Sequence, residues 1–251
     1  MFPIYDVIVV GAGHAGCEAA SAAATLGSKV LLISMNLQTI GEMSCNPAMG
    51  GIAKGQIVRE IDAIGGYSGI VTDESMIQFR MLNKSKGPAM WSPRAQCDRS
   101  LFSLKWRQVL EQNQNIDFYQ DTVAALLKAS DKITGVKTRL GHEIFAKSVI
   151  LTNGTFLNGI IHIGEKKMAG GRVSEKNSIG ITEQLIDWGF KSDRLKTGTP
   201  PRIDGRSLDY SKLEVQEGDG EIKGFSFADT NKPLQQKIAG SHTPIRRYMM
   251  Y

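Results

Sequence analysis

The stretch that most constrains this chain is Tyr5-Asp6-Val7-Ile8-Val9-Val10-Gly11-Ala12-Gly13-His14-Ala15-Gly16, with its continuation to Ser34. An unbroken apolar run ends in Gly-x-Gly-x-x-Gly, an Ala-rich segment follows to about Leu26, and a second apolar run begins after Gly27. Together these describe a β-α-β unit with a dinucleotide-binding turn. Gly11 lets the chain turn tightly, Gly13 lets backbone approach a pyrophosphate, and Gly16 lets the helix lie close to the strand. Free N–H groups at the helix start then face the phosphates. Gly11, Ala12, Gly13, His14, Ala15 and Gly16 are therefore cofactor-binding candidates. His14 is given a place beside the cofactor and no chemistry, because a His at a helix start is commonly a polar or backbone-bonding residue. Cys17, on the Ala-rich helix, reads as a small core residue. The second strand ends Ser34-Met35-Asn36, where an acid for a ribose hydroxyl is usual, so ribose recognition falls to a neutral side chain or to backbone.

At 251 residues the chain holds one large α/β domain, or one domain and part of another. It enters its first strand almost at once, and no run approaches the ~18 apolar residues of a membrane span, so a cytoplasmic location is the default expectation. Cys17, Cys45 and Cys97 are odd in number and at no metal-ligand spacing, which argues against a disulfide framework and against a zinc site. The net charge is +5, and its distribution says more than its size. Between Met76 and Arg107 lie Arg80, Lys84, Lys86, Arg94, Arg99, Lys105 and Arg107 with only Asp98 opposing them, so this one segment is more basic than the chain as a whole.

A glycine-punctuated stretch over 40–55 follows the second strand and reads as an ordered loop over the cofactor, ahead of a helix at 56–64. Within it Cys45 stands between Ser44 and Asn46-Pro47, with Lys54 downstream. Two readings are open: a reactive thiol beside the cofactor, or a buried structural cysteine. From Met76 the pattern predicts a short helix or turn, a loop over 83–94, and an amphipathic helix over 96–111 with Leu101, Leu104, Val109 and Leu110 on its apolar side. Basic residues interleaved with Phe79, Trp91 and Trp106 would suit phosphates and stacked bases, and a solvated charged face is the alternative.

Strand-type runs then accumulate at 116–119, 122–129, 133–140 and 147–151. The middle pair, joined across Ser130-Asp131-Lys132, reads as a hairpin in the three-stranded meander that interrupts flavin-type Rossmann folds. The run Ser148-Val149-Ile150-Leu151 ends in Thr152-Asn153-Gly154-Thr155-Phe156, a small-residue turn placed where α/β sheets bind ligands. Gly170-Gly171-Arg172 and Thr197-Gly198-Thr199-Pro200-Pro201-Arg202 flank a helix at 180–189, and each sets a guanidinium against rigid backbone or is an ordinary turn. From 213 to 230 the chain is polar, with one short apolar strand expected at 224–228.

Taken together, these stretches closely resemble the GidA or MnmG family of flavin-dependent tRNA uridine 5-carboxymethylaminomethyl modification enzymes. The matching residues are Gly11 to Gly16, Met43-Ser44-Cys45-Asn46-Pro47-Ala48 with Gly50-Gly51-Ile52, Gln78-Phe79-Arg80-Met81-Leu82-Asn83 with Ser85-Lys86-Gly87-Pro88-Ala89, and Arg94-Ala95-Gln96. Further along they are Gly154-Thr155-Phe156-Leu157 with Ile161-His162-Ile163-Gly164, Gly170-Gly171-Arg172, and Leu195-Lys196-Thr197-Gly198-Thr199-Pro200-Pro201-Arg202. The resemblance implies an α/β, Rossmann-like FAD-binding fold, a parallel sheet with helices and a meander insertion. Val123 and Ser178 match positions where the family contacts FAD, and Cys45 matches a cysteine assigned a catalytic part. It further implies tRNA as substrate, an MnmE-type GTPase partner, a homodimer, methylenetetrahydrofolate as one-carbon donor, glycine or ammonium as amine source, and NADH as reductant of the flavin.

Family members are more than twice as long, so the resemblance covers only their N-terminal part. Residues 1–196 match the first part of the FAD-binding domain, and 197–251 the start of an inserted domain. From about Lys237 the sequence departs from the family pattern, and a truncated product arising near that point is the expectation. A catalytically incompetent FAD-binding fragment is therefore the competing functional reading. A disulfide-type flavin reductase is set aside, because Cys45 has no second cysteine within four or five residues. A sheet without its later strands exposes an edge, which predicts self-association.

Overall fold

In the computed structural model, which describes residues 2–44, 46–198, 203–230, 232, 235–237 and 239–241, the opening stretch folds as its pattern demands. Strand β1 (Tyr5–Val10) leads through Gly11 into helix α1 (His14–Thr25), and β2 (Val30–Ser34) runs parallel to β1. Val9 lies opposite Leu32 on one side and Ile150 on the other. Side chains alternate across a strand, so Val9, Val30 and Leu32 enter one apolar layer while Ile8, Val10, Leu31 and Ile33 enter a second. A parallel sheet buried on both faces requires such continuous apolar runs.

The segment after β2 is more structured than its glycines suggest. Strand β3 (Ala48–Gly50) lies inside the expected loop, helix α2 (Lys54–Ala63) follows, and helix α3 (Ser68–Ser75) comes next. Helix α3 carries no apolar period and was not expected; it is buried nonetheless, with Ser68, Thr72, Asp73 and Ser75 each at most 5% exposed. Its start is held by Glu18 of α1, whose carboxylate accepts from Tyr67 N at 3.1 Å and Ser68 N at 2.6 Å. Thr72 and Ser75 bond back to the carbonyls of Ser68 and Val71.

The basic segment departs from expectation in three ways. The stretch expected as helix or turn is strand β4 (Met76–Leu82), and the end of the expected loop is strand β5 (Ser92–Cys97), which pairs antiparallel with both β4 and β3. Helix α4 (Arg99–Glu111) starts three residues late, because the Asp98 carboxylate accepts from Leu101 N at 2.9 Å and so caps it. Its buried face is Phe102, Trp106 and Leu110, one residue every four, whereas Leu104 is half exposed. Burying each of these three is worth about 2 kcal/mol; of the expected apolar side, Leu110 is buried and Val109 packs against the core.

Beyond α4 come β6 (Ile116–Gln120), β7 (Val123–Ala129), β8 (Lys132–Thr138) and β9 (Glu143–Leu151). The main sheet has the order β6-β2-β1-β9-β8-β7. Its first four strands are parallel, and β7, β8 and the start of β9 form the expected antiparallel meander. This is the Rossmann-like architecture of the FAD-binding type. Strand β9 serves two partners: residues 143–145 pair with β8, while the rest pairs with β1. Past Phe145 its other edge has no neighbouring strand among the described residues, and Ile150 there is 36% exposed. A hairpin of β10 (Ile160–Ile163) and β11 (Lys166–Ala169) and helix α5 (Ile181–Asp187) complete this half. No described helix is long and apolar enough to cross a membrane.

Strand β12 (Glu214–Gln216) pairs with β13 (Ala239–Ser241), and the apolar strand expected at 224–228 does not form. Its ladder donors are taken by carboxylates instead. Asp73, 0% exposed, accepts from Phe225 N at 2.7 Å, Ser226 N at 3.0 Å and the Thr230 hydroxyl at 3.1 Å, and Asp62 accepts from Phe227 N at 2.7 Å. Phe225 is thereby inserted into the core against Phe79, their rings 6.2 Å apart and edge-on. Replacing Asp73 with Ala leaves two buried N–H groups without an acceptor, so the variant should lose about 3 kcal/mol in urea unfolding; an unchanged midpoint would contradict this account. The open edge of β9 predicts that the purified chain elutes as dimers or larger species on size exclusion, and a monodisperse monomer would refute that.

Candidate functional site

The turn between β1 and α1 is defined by what cannot be added to it. Gly11 has φ of 101°, and a Cβ there would lie 2.6 Å from Thr152 O. A Cβ on Gly16 would overlap Gly11 O and approach Thr152 Oγ1 to 2.8 Å. Thr152, just past β9, donates its hydroxyl to both Val10 O and Gly11 O at 2.9 Å, so three chain segments meet here with no room for a side chain. Gly13 is the opposite case: a Cβ there would meet nothing within 4 Å. It is the N-cap residue of α1, no side chain caps that helix, and its first turn holds no acid. The helix start thus has no side-chain acceptor and has free space beside Gly13, which suits a diphosphate and fits the FAD expected for this turn.

His14 lies at this opening, its ring 5.1 Å from that of Phe102, and its Nε2 is buried without a partner. Burial, with the Lys54 ammonium adding to it, lowers the imidazole pKa to about 4, against opposing contacts from the Gly41 and Glu42 backbone. It is neutral at pH 7. Asn153 Oδ1, in the turn after β9, is likewise buried and unpartnered. These two buried polar atoms leave hydrogen-bonding capacity free near the turn, which a polar ligand could use. At the end of β2 the Asn36 side chain accepts from Gln38 N at 2.9 Å and Ser34 donates to Asn36 O, so neutral groups occupy the place of the missing acid.

Val123 and Ser178 are brought into contact: Ser178 Oγ donates to Val123 O at 3.1 Å, and both side chains are buried. Val123 shares an apolar layer with Val10, the last residue of β1 before the turn, and with Ile33 of β2. Cys45 and the Pro200-Pro201-Arg202 turn lie outside the described residues. The other two thiols are inert: burial pushes Cys17 well above the usual thiol range and Cys97 up to about 12. No group of three or more His, Cys, Asp or Glu among the described residues is placed to hold a metal ion.

The stacking surface expected in the basic segment is not there. Phe79 and Trp106 are 0% exposed, so of the three aromatic residues only Trp91 reaches solvent. Several cations are paired: Lys84 with Asp219 at 2.7 Å, Lys105 with Glu74 at 2.9 Å, and Arg107 with Glu111 at 2.6 Å. A cleft of about 420 Å³ lined by Asp62, Tyr67, Ile70 and Phe227 includes no residue of the glycine turn. Sequence reasoning missed Thr152 as the third member of that turn and Asp73 as an anchor, since neither stands in a motif that shows its partner.

A model of the family described as "Glucose inhibited division protein A" matches residues 6–243, reaching past Lys237, where departure was expected. The tRNA uridine 5-carboxymethylaminomethyl modification enzyme MnmG of Cytophaga hutchinsonii is 66% identical over 237 residues, which are 94% of this chain and 38% of that protein. MnmG of Christiangramia forsetii is 66% identical over 233 residues, 93% of this chain and 37% of the relative. The structure of Aquifex aeolicus GidA in its form I crystal superposes with a TM-score of 0.91 at 44% identity, covering 95% of this chain and 41% of that one. The chain thus spans well under half the length of the curated relatives it matches. With the glycine turn, the meander and the parallel sheet in place, this chain belongs to the glucose inhibited division protein A family, GidA.

Proposed function

We propose that this chain is the FAD-binding part of an enzyme that modifies the wobble uridine of tRNA by 5-carboxymethylaminomethyl addition. The observation that carries the proposal is the uncapped start of α1 at Gly13, open where Gly11 and Gly16 are closed, in a chain 66% identical to MnmG proteins. Gly11, Ala12, Gly13, His14, Ala15 and Gly16 would hold the pyrophosphate by backbone, while Val123 and Ser178 lie alongside the cofactor. Bound FAD would supply redox and one-carbon chemistry. Cys45 would act as thiol nucleophile or acid/base near the flavin ring. Methylenetetrahydrofolate as one-carbon donor, NADH as reductant, an MnmE-type GTPase as partner, a homodimer and a cytoplasmic setting belong to the same proposal. So does the division into a binding domain at 1–196 and the start of an inserted domain at 197–251.

The share of the relatives that the chain covers, 37% to 38%, favours a second reading: a piece that binds FAD and does no catalysis alone. Gly13→Ala separates cofactor binding from folding, because the new methyl meets only empty space in the ligand-free chain. Its stability should stay within about 1 kcal/mol of wild type, the cost of alanine at an N-cap, while flavin binding, read by absorbance and fluorescence quenching, weakens about tenfold or more. Equal flavin affinity in the two proteins would refute the pyrophosphate assignment. Supplying the chain and its GTPase partner to tRNA from cells lacking the full-length enzyme then decides between the readings. Recovery of the modified nucleoside supports the enzyme, and flavin binding without recovery supports the fragment.

The neutral state of His14 predicts a pH dependence. Its folded pKa is about 4 against an ordinary value of 6.5, so between these limits the unfolded chain holds a proton that the folded chain does not. Stability is therefore complete above the unfolded value and falls as pH drops toward the folded one; by pH 5 this group costs about 2 kcal/mol. Urea unfolding of wild type and His14→Gln at pH 7 and pH 5 should show a shallower acid loss in the variant. Identical losses would exclude His14 as the source.

A further inference from the structure

We propose that Arg80 and Arg94 form a phosphate-binding row for an RNA backbone, on the outer face of the three-stranded sheet β3-β5-β4. The proposal rests on the reading of this chain as part of a tRNA-modifying enzyme, and adds a place where the RNA is held. Phe79 lies opposite Ala95 and both are 0% exposed, so this pair faces the core. Side chains alternate along a strand, and the next pair, Arg80 opposite Arg94, therefore stands on the other face, where both are partly exposed. Side chains opposed in this way start about 5 Å apart, and two like charges so placed destabilise a sheet.

No acid relieves this pair among the described residues. The Arg94 side chain has no hydrogen-bond or ion-pair partner there, and beyond it in the row stands Gly50, which has no side chain. Arg80 Nη1 donates to Gln216 Oε1 at 3.0 Å, a neutral acceptor that orients the guanidinium and leaves its charge uncompensated. Gln216 is fixed in turn, since its carbonyl accepts from Gln78 Nε2 at 2.8 Å. Asp219, which reaches the same edge of β4, is taken by Met81 N at 2.8 Å and by Lys84 Nζ at 2.7 Å. Two guanidinia on paired strands thus present planar forks that match phosphate oxygens. The cations continue on either side. Toward the hairpin tip, the Lys86 side chain has no partner among the described residues, and the Lys223 ammonium lies 5.8 Å from the exposed Trp91 ring. Toward the cofactor opening, the chain runs from Gly50 through Gly51 to Lys54, whose charge bears on His14 at the start of α1. An RNA backbone, with a phosphate at every nucleotide, suits cations set out along a line better than one small anion does.

The test uses the 251-residue chain with excess FAD and a fluorescein-labelled anticodon stem-loop RNA, titrated by anisotropy at several salt concentrations. Arg94→Gln should weaken binding by about threefold to tenfold and lower the slope of log affinity against log salt by about 0.7 to 0.9, one phosphate contact's worth. Its urea midpoint should hold or rise, because the substitution relieves the opposed charges. Arg94→Lys should keep the salt slope and recover part of the affinity. Arg80→Gln should weaken RNA binding in the same way; if losing the Gln216 bond also lowers its midpoint, Arg94→Gln alone decides. An unchanged affinity or salt slope in Arg94→Gln, a lowered midpoint in that variant, or a wild-type chain that leaves the RNA free at low salt overturns the proposal. Triglutamate, which offers carboxylates in place of phosphates, should not displace the RNA; displacement that Arg94→Gln abolishes would assign the row to a carboxylate ligand and overturn it too. Exchanging the wobble uridine for cytidine should leave binding unchanged, since phosphate contacts carry no base information. Formation of the modified nucleoside is scored separately, so the RNA row and the enzymatic reading can each fail alone.

Discussion

The close approach of Gly16 to Gly11, with Thr152 wedged against both, is the contact on which the remainder depends. It is a steric constraint rather than a source of attraction. Each hydrogen bond of Thr152 contributes about 1 kcal/mol net, whereas a side chain at either glycine cannot be accommodated without moving a backbone. Because α1, β1 and the end of β9 converge there, the helix axis is aimed at the opening beside Gly13. The same convergence brings Asn153, His14 and the 41–44 loop to one side of the molecule. Position, polarity and openness of the candidate site all descend from three small residues and a hydroxyl.

What the sequence revealed follows the kind of physics involved. Local geometry was legible: Gly11, Gly13 and Gly16 announced a turn, the runs of β1 and β2 announced a doubly buried sheet, and Ser130-Asp131-Lys132 announced a hairpin. Long-range satisfaction of polar groups was not. Helix α3, with its run of Ser, Thr and Asp, looks like loop until Glu18 is known to hold its start and Asp73 to hold a distant backbone. The 224–228 strand failed for the same reason, since its pattern could not disclose that carboxylates would take its donors. In α4 the conflict was between apolar residues, and the larger aromatic side chains Phe102 and Trp106 are buried while Leu104 is left half exposed.

Charge tells a parallel story. Seven cations in one stretch suggested a polyanion, yet folding sends Phe79 and Trp106 inward and gives several of the cations acidic neighbours drawn from 74, 111 and 219. A count along the chain cannot show that these acids arrive from other elements. Arg172 is the converse: a single cation in an unremarkable turn, whose partners lie 130 and 128 residues away on the loop before Cys45.

Asp73 has a consequence for the order in which the molecule assembles. Its backbone donors come from residues 152 and 153 positions later in the chain. Until that segment arrives, α3 can only close by burying a carboxylate with nothing to receive its charge, so the helix and its neighbours α2 and α4 cannot complete their packing early. The cost of closing so long a loop grows only with the logarithm of its length, which makes the wait a matter of time more than of free energy. During synthesis the N-terminal sheet and glycine turn can therefore form first, while the layer beside them stays open until residues near Gly224 have left the ribosome.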